Sequence, residues 1–243
     1  MESLRLYTES EFEKSLLLSV KDLRGNIFHG QSAPEEFSLQ GTTIASFYIE
    51  GGRAAIAVSD GKVSSNQVLQ AASLEFKKLI EIDRVTVMAI SGSAGFALLY
   101  AKILKNWVET TERIREEKLS VRAKVNMVTK ILRESLSLSM GGFVVQPIIT
   151  TYDKGHGPRI FLFTPDGSEV PRNDYAIAGS GKSNEGGLLT NWREDLSREE
   201  GIKLAQQLVI NAHKLDKATG GRIFIKIIDQ SGIESIDGGF VND

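Results

Sequence analysis

The chain has 243 residues, 41% of them hydrophobic and 25% charged, with no cysteine and three histidines. That length accommodates one large domain or two small ones around a real core. Without cysteine there can be no disulfide, thiolate metal site or Cys nucleophile, and such a composition fits a reducing compartment. His29, His156 and His213 are too scattered for a multi-histidine metal centre. Twenty-nine Lys and Arg against 31 Asp and Glu leave a net charge of −2, so nothing global favours nucleic acid or an anionic membrane as a partner.

Residues 9–22 are predicted to form a short amphipathic helix, with Phe12, Leu16 and Val20 spaced by four. Its apolar run, Leu16-Leu17-Leu18-Ser19-Val20, is short and follows Glu9, Glu11, Glu13 and Lys14. It is unlike a secretory signal and cannot span a bilayer, so a cytoplasmic chain is expected. Arg24 to Gln40 keeps no period and ends at Gly41. From Thr42 to Glu50 the chain alternates and is rich in β-branched and aromatic residues, as strands are. Gly51-Gly52 is a hairpin signal, and Arg53 to Ser59 returns as a small-residue strand.

A second strand pair is predicted at 78–83 and 85–91, with 64–76 between the pairs as a loop. Two helices follow, one carrying Phe96, Leu99, Tyr100, Ile103 and Trp107, the other Val121, Val125, Val128, Ile131, Leu132 and Leu136. The face from Phe96 to Trp107 suits either a core or an inter-subunit contact. Further strands are predicted near 142–151, 158–164 and 175–178, helices near 183–192 and 197–214, and closing strands at 222–229 and 233–236. Strands in runs argue against a doubly wound parallel sheet. The expected fold is α+β, a four-layer αββα sandwich of two antiparallel sheets flanked by helices.

The sharpest chemical feature is the junction Gly41-Thr42-Thr43-Ile44, where irregular sequence meets a strand. A strand start is the ordinary reading of such residues. The alternative is a processing site: cleavage after Gly41 would leave Thr42 with a hydroxyl and a free α-amine. With a pKa of about 7.7–8.0, that amine can accept the hydroxyl proton at neutral pH, making nucleophile and base of one residue. Such a site needs a nearby cation and a carboxylate to hold it. Asp60-Gly61-Lys62 and Lys77-Lys78 supply candidates, although an Asp-Gly is ordinarily a turn and lysines are common on surfaces.

Taken in series, Gly41-Thr-Thr-Ile44, Asp60-Gly-Lys62, Lys78 followed by Asp83, Ser91-Gly-Ser-Ala94, Tyr175-Ala-Ile-Ala-Gly-Ser-Gly181 and Asp216-Lys-Ala-Thr-Gly-Gly221 resemble a proteasome β subunit of the bacterial and archaeal type. These are threonine peptidases with an N-terminal nucleophile, and the resemblance runs over about residues 42–236 in order. It implies residues 1–41 as a propeptide, 42–243 as the catalytic domain, and Thr42 as nucleophile after self-cleavage of Gly41–Thr42. Lys78 would be the adjacent cation and Asp60 its carboxylate. Gly92 would supply the oxyanion-binding N–H, and Ser180, Asp216 and Thr219 would hold the threonine amine and its water. Ser64 would pair with extended substrate backbone, and Val63, Ile80, Ile90, Ala94 and Leu98 would form an apolar specificity pocket, some of them being ordinary core residues. The resemblance also implies proteasome α subunits, heptameric β rings, a regulatory ATPase ring and unfolded protein substrates as partners. No cofactor or metal is implied. Thr42 to Asp60, and Asp60 to Lys78, are each a couple of residues longer than the family's spacing, whereas Lys78 to Gly92 needs no gap.

Two rival readings accompany this one. A non-catalytic ring subunit would share the fold but lack the threonine or its lysine. The simpler two-ring bacterial peptidase shares Thr-Thr-Ile but has little leader. Separately, Gly179-Ser-Gly-Lys-Ser183 resembles the end of a phosphate-binding loop, but Ala176 stands where that motif needs glycine.

Overall fold

The computed structural model describes residues 11, 13–15, 17–18, 39–40, 42–65, 68–184 and 190–241. Its strands are β1 (Leu39–Gln40), β2 (Thr43–Ile49), β3 (Ala54–Ser59), β4 (Val63–Ser65), β5 (Val68–Ser73), β6 (Leu79–Asp83), β7 (Thr86–Ala89), β8 (Ile148–Asp153), β9 (Gly157–Phe163), β10 (Glu169–Arg172), β11 (Tyr175–Gly179), β12 (Gly221–Asp229) and β13 (Gly232–Val241). The helices are α1 (Ala94–Arg115), α2 (Val121–Glu134), the single-turn α3 (Leu136–Met140) and α4 (Arg198–Leu215).

Two five-stranded antiparallel sheets form the centre, one in the order β11-β2-β3-β12-β13 and the other β10-β9-β8-β7-β6. Period-two alternation explains how both faces of the first sheet are buried. In β2, Ala45, Phe47 and Ile49 pack toward α4 with Ile56, Val58, Leu208 and Val209. Ile44 and Tyr48, with Ala55, Ala57, Ala176 and Ala178 of the same sheet, face the opposite sheet, where they pack with Val87, Ala89 and Ile148. The abundance of alanine in that inner layer lets the sheets approach closely. A third cluster joins the outer face of the second sheet (Met88, Ile90, Ile149, Phe161, Phe163) to α1 and α2 through Tyr100, Leu104, Trp107, Val128 and Ile131. Three interlayer cores define four layers, helix–sheet–sheet–helix. The face from Phe96 to Trp107 is therefore mostly core, with Tyr100, Ile103, Leu104 and Trp107 buried.

Polar groups also cross the inner layer. Ser46 Oγ lies 2.6 Å from Thr150 Oγ1, and Tyr48 Oη donates to the Arg172 carbonyl at 2.9 Å while accepting from Ile160 N at 3.1 Å. Burial pushes the Tyr48 phenol above its usual pKa. Local signals set the helix starts: Ser120 Oγ accepts from Ala123 N, and Ser197 with Glu200 forms a capping box on α4.

Several expectations are corrected. The stretch 64–76 holds a hairpin, β4–β5, with irregular register. The strand expected near 142 starts only at Ile148, since residues 142–147 follow α3 as a loop touching Gly92 through one bridge at Val145. β10 was hidden by its polar residues and Pro171, a residue tolerated at a sheet edge. β13 continues to Val241 past a bulge opposite Ile223, where Gly238-Gly239 interrupts the alternation. Of the helix expected near 183–192, residues 190–191 are helical, Ser183 and Asn184 end a 3₁₀ turn that begins at Ser180, and 185–189 lie outside the described residues. At the N-terminus residues 11, 13–15, 17 and 18 are helical. Leu17 packs on the α1–α2 core, and Glu13 pairs with Lys130. Phe12, Leu16, Val20 and the stretch 24–38 lie outside the described residues. No helix among the described residues is long and apolar enough to cross a membrane.

Ala57 has no exposed surface and lies in the inter-sheet layer. Ala57→Leu should therefore destabilise the protein by about 1–3 kcal/mol through overpacking, measured as a lowered urea midpoint at unchanged m-value.

Candidate active site

Strand pairing gathers residues that are distant in sequence. The β2–β3 hairpin sets Ile44 opposite Ser59, so Thr42 and Thr43 at one strand's start meet Asp60 at the other's end. β11 pairs Gly179 with Thr43, bringing Ser180 beside Thr42. β12 pairs Phe224 with Ser59, and the Gly220 carbonyl accepts from Gly61 N and Lys62 N at 3.0 and 2.8 Å. From the second sheet, Lys78 enters just before β6, anchored by Ile90 N on its carbonyl at 2.9 Å. The site thus occupies the edge where both sheets end.

At its centre is a buried ion pair. Lys78 Nζ donates to Asp60 Oδ1 at 2.7 Å, with the two side chains 2% and 0% exposed. The same oxygen accepts from Thr43 N at 2.8 Å. Oδ2 accepts from Lys62 N at 3.2 Å and Gly220 N at 3.1 Å. Lys78 Nζ also donates to the Lys62 carbonyl at 2.7 Å. Burial pushes the Asp60 carboxyl up and the Lys78 ammonium down, each opposed by the other's charge. Four donors on one carboxylate are what allow charge to persist without water.

Thr42 is held by its main chain. Its N–H donates to Ser180 Oγ at 3.1 Å, and Ser180 Oγ donates back to the Thr42 carbonyl at 3.2 Å. Gly181 N reaches the same carbonyl at 3.3 Å. A Cβ on Gly179 would stand 2.1 Å from the Thr42 carbonyl oxygen, and one on Gly181 2.0 Å from Thr43 Oγ1, so only glycine allows this approach. Thr219 Oγ1 lies 2.9 Å from Thr43 Oγ1. Asp216, at the end of α4, accepts from Ala218 N through Oδ1 at 2.9 Å. Its buried Oδ2 has no hydrogen-bond partner among the described residues, and its charge favours the protonated form of Lys78. Gly92 has φ 92°, and a Cβ there would meet the Val144 carbonyl at 2.1 Å. Flanking bonds from Ser93 N to Val144 O and from Gln146 N to Ser91 O fix its peptide.

Thr42 is thus bonded to Ser180, and its chain neighbour Thr43 joins Asp60, Lys78 and Thr219 in one hydrogen-bonded set. The apolar candidates divide. Ile80, Ala94 and Leu98 are half-buried, Val63 is buried, and Ile90 is part of the α1 core. The Ser64 backbone pairs with Gln40, and Ser65 with Leu39, in antiparallel register. Gly41 lies outside the described residues. Among those residues no three potential metal-ligating side chains cluster. The phosphate-loop resemblance finds no matching context: β11 is antiparallel to β2 and leads into a 3₁₀ turn whose Ser180 and Gly181 are engaged by Thr42 and Thr43.

Some contributors escaped sequence reasoning. Thr43 reads as an ordinary β-branched strand residue, yet it supplies both an amide and a hydroxyl. Lys62 and Gly220 lie within the quoted motifs, but what they contribute to the ion pair are backbone groups, which residue type does not mark. Because Asp60 has no exposed surface, Lys78→Met should cost about 3–5 kcal/mol by stranding a buried carboxylate. The double variant Asp60→Asn/Lys78→Met should recover part of that loss in urea unfolding.

Comparison with known proteins agrees with this architecture. Residues 39–228 match the family model described as proteasome subunit. The chain is 29% identical over 208 residues to the proteasome subunit beta of Streptomyces griseus subsp. griseus, covering 81% of this chain and 72% of that protein. It is 30% identical over 206 residues to the proteasome subunit beta of Acidimicrobium ferrooxidans, covering 81% and 74%. With the four-layer sandwich and its edge site already in view, the chain belongs to the proteasome subunit family.

Proposed function

We propose that this chain is a threonine endopeptidase, the β subunit of a proteasome, made as a precursor whose first 41 residues are removed at Gly41–Thr42. The observation that carries the reading is the main chain of Thr42, held by Ser180 at the same strand ends as the buried Lys78–Asp60 pair. After cleavage the Thr42 α-amine would take the proton of its own hydroxyl, directly or through a water held by Ser180 and Thr219. The freed Oγ1 attacks a substrate carbonyl carbon, and the Gly92 N–H accommodates the oxyanion. The ammonium returns its proton to the leaving amine as the C–N bond breaks, leaving an ester on Thr42. Water then attacks the ester, giving its proton to the amine, which passes it to Oγ1 as the C–O bond breaks and the acid product leaves. Lys78 keeps the amine less basic and offsets developing negative charge, with Asp60 keeping Lys78 in place. Asp216 Oδ2, which has no hydrogen-bond partner among the described residues, is suited to receive the amine's hydrogens. No step calls for a metal or organic cofactor.

The pairing of β1 with β4 supports the processing step. Leu39 and Gln40, just before the scissile bond, lie antiparallel to Ser64–Ser65, where an extended substrate would add as a strand. In this reading the leader blocks the amine and occupies the substrate track until cleavage. Ile80, Ala94 and Leu98, with Val63, would form the apolar specificity pocket and favour cleavage after hydrophobic residues. Assembly with other proteasome subunits, as heptameric β rings between α rings, would cover the apolar patch of Leu136, Met140 and Val144, of which Met140 is 83% exposed. An ATPase ring would deliver unfolded chains to this cytoplasmic particle.

Thr42→Ala should lower peptide hydrolysis by about 10⁴-fold or more, as loss of a covalent nucleophile does. It should also leave the leader attached; an unchanged rate would overturn the assignment. Fluorogenic peptides should be cleaved faster with a hydrophobic P1 than with a basic or acidic one, and the reverse order would remove the pocket assignment.

A further inference from the structure

His213 lies in the last turn of α4, 5% exposed, and the chemistry above does not use it. Its Nδ1 is 2.7 Å from the Thr219 carbonyl oxygen and its Nε2 is 3.1 Å from Lys217 Nζ. A carbonyl oxygen only accepts, so Nδ1 carries the hydrogen. An ammonium only donates, so Nε2 presents its lone pair. The imidazole therefore sits as the neutral Nδ1–H tautomer, a state assigned by its partners.

The Thr219 carbonyl and the Gly220 N–H belong to one peptide unit. On its far side that unit donates to Asp60 Oδ2 at 3.1 Å, while Asp60 Oδ1 takes Lys78 Nζ at 2.7 Å. The next carbonyl, of Gly220, accepts from Gly61 N and Lys62 N, and the Lys62 carbonyl in turn accepts from Lys78 Nζ. Two of the ion pair's supports, the Gly220 N–H on Asp60 and the Lys62 carbonyl on Lys78, therefore depend on the short segment that His213 grips. A basic residue at a helix end ordinarily serves the carbonyls of its own last turn. His213 instead reaches beyond the Asp216 cap into the loop. A Cβ on Gly220 would come within 3.1 Å of Nδ1, so the imidazole also fits against a glycine with no side chain.

We propose that His213 is a positioning residue for the Lys78–Asp60 pair, acting through the Thr219–Gly220 peptide, whose orientation it fixes and whose N–H it polarises. This rests on the role given above to Lys78 and Asp60. An aliphatic side chain would fill the same space but leave the buried Thr219 carbonyl without this donor.

Variants of the full-length, assembled protein test the proposal. His213→Phe keeps ring bulk and removes both nitrogens. His213→Asn keeps a donor near the Nδ1 position, and His213→Gln moves it outward. His213→Phe should lower kcat about tenfold, the worth of one hydrogen bond, with KM within about twofold, and should speed amide exchange across residues 216–222. His213→Asn should return most of both. Wild-type kcat and exchange in His213→Phe, or equal impairment of Phe and Asn variants, would overturn the proposal. If His213→Phe does not assemble, Asn outperforming Gln supports the idea and equality of the two refutes it. Should the wild-type protein hydrolyse no peptide, the Thr42 reading fails, while the exchange comparison still decides for or against His213.

Discussion

The architecture turns on one constraint: a lysine and an aspartate with almost no exposed surface must stay charged together between two sheets. Asp60 follows a strand of one sheet and Lys78 precedes a strand of the other, so their contact ties the halves of the sandwich at the edge where Thr42 lies. Neither charge is tolerable there alone. The carboxylate is met by three backbone amides as well as the ammonium, from Thr43, Lys62 and Gly220. Each amide belongs to a different stretch of chain. A shift in any of those stretches would unbalance the pair, which is why the site is built from strand ends that pairing register holds in place.

The rest of the fold serves that geometry. Alanines on the inner faces bring the sheets close, while Phe47, Ile49, Ile56 and Val58 of β2 and β3 face α4. Glycines at 179 and 181 let the β11 turn press against Thr42 and Thr43. α4 ends at the Asp216 turn, so helix packing against the first sheet also sets the height of the 216–221 loop. Catalytic proposals aside, this is a route by which core packing reaches the site.

Much of this was legible in the sequence for identifiable reasons. β2, β3 and the α1 and α2 faces carry clean periods, because each buries a continuous apolar surface. The β4–β5 hairpin and β10 were not legible, since their polar residues and Pro171 lie on an irregular ladder and a sheet edge. Thr42, Asp60 and Lys78 stood out through residue type and order, and the extra residues between them did not separate them: the Gly51-Gly52 turn closes the β2–β3 hairpin, and part of the 64–76 stretch folds as a hairpin of its own. Thr43, the Lys62 carbonyl and the Gly220 amide stayed hidden. A strand threonine has an ordinary explanation, and backbone groups leave no mark on composition. His213 was hidden for the complementary reason. A single histidine on a helix is usually core, and only the carbonyl it reaches gives it a part.

The central claim is that Thr42 becomes the chain's first residue, with hydroxyl and amine on the same group. Mapping the N-terminus of the chain in particles that hydrolyse peptides, by amine labelling and mass spectrometry, tests this most directly. The account predicts a labelled terminus at Thr42, with Gly41 and everything before it removed. Active particles whose chains retain Gly41, or begin anywhere else, would contradict it.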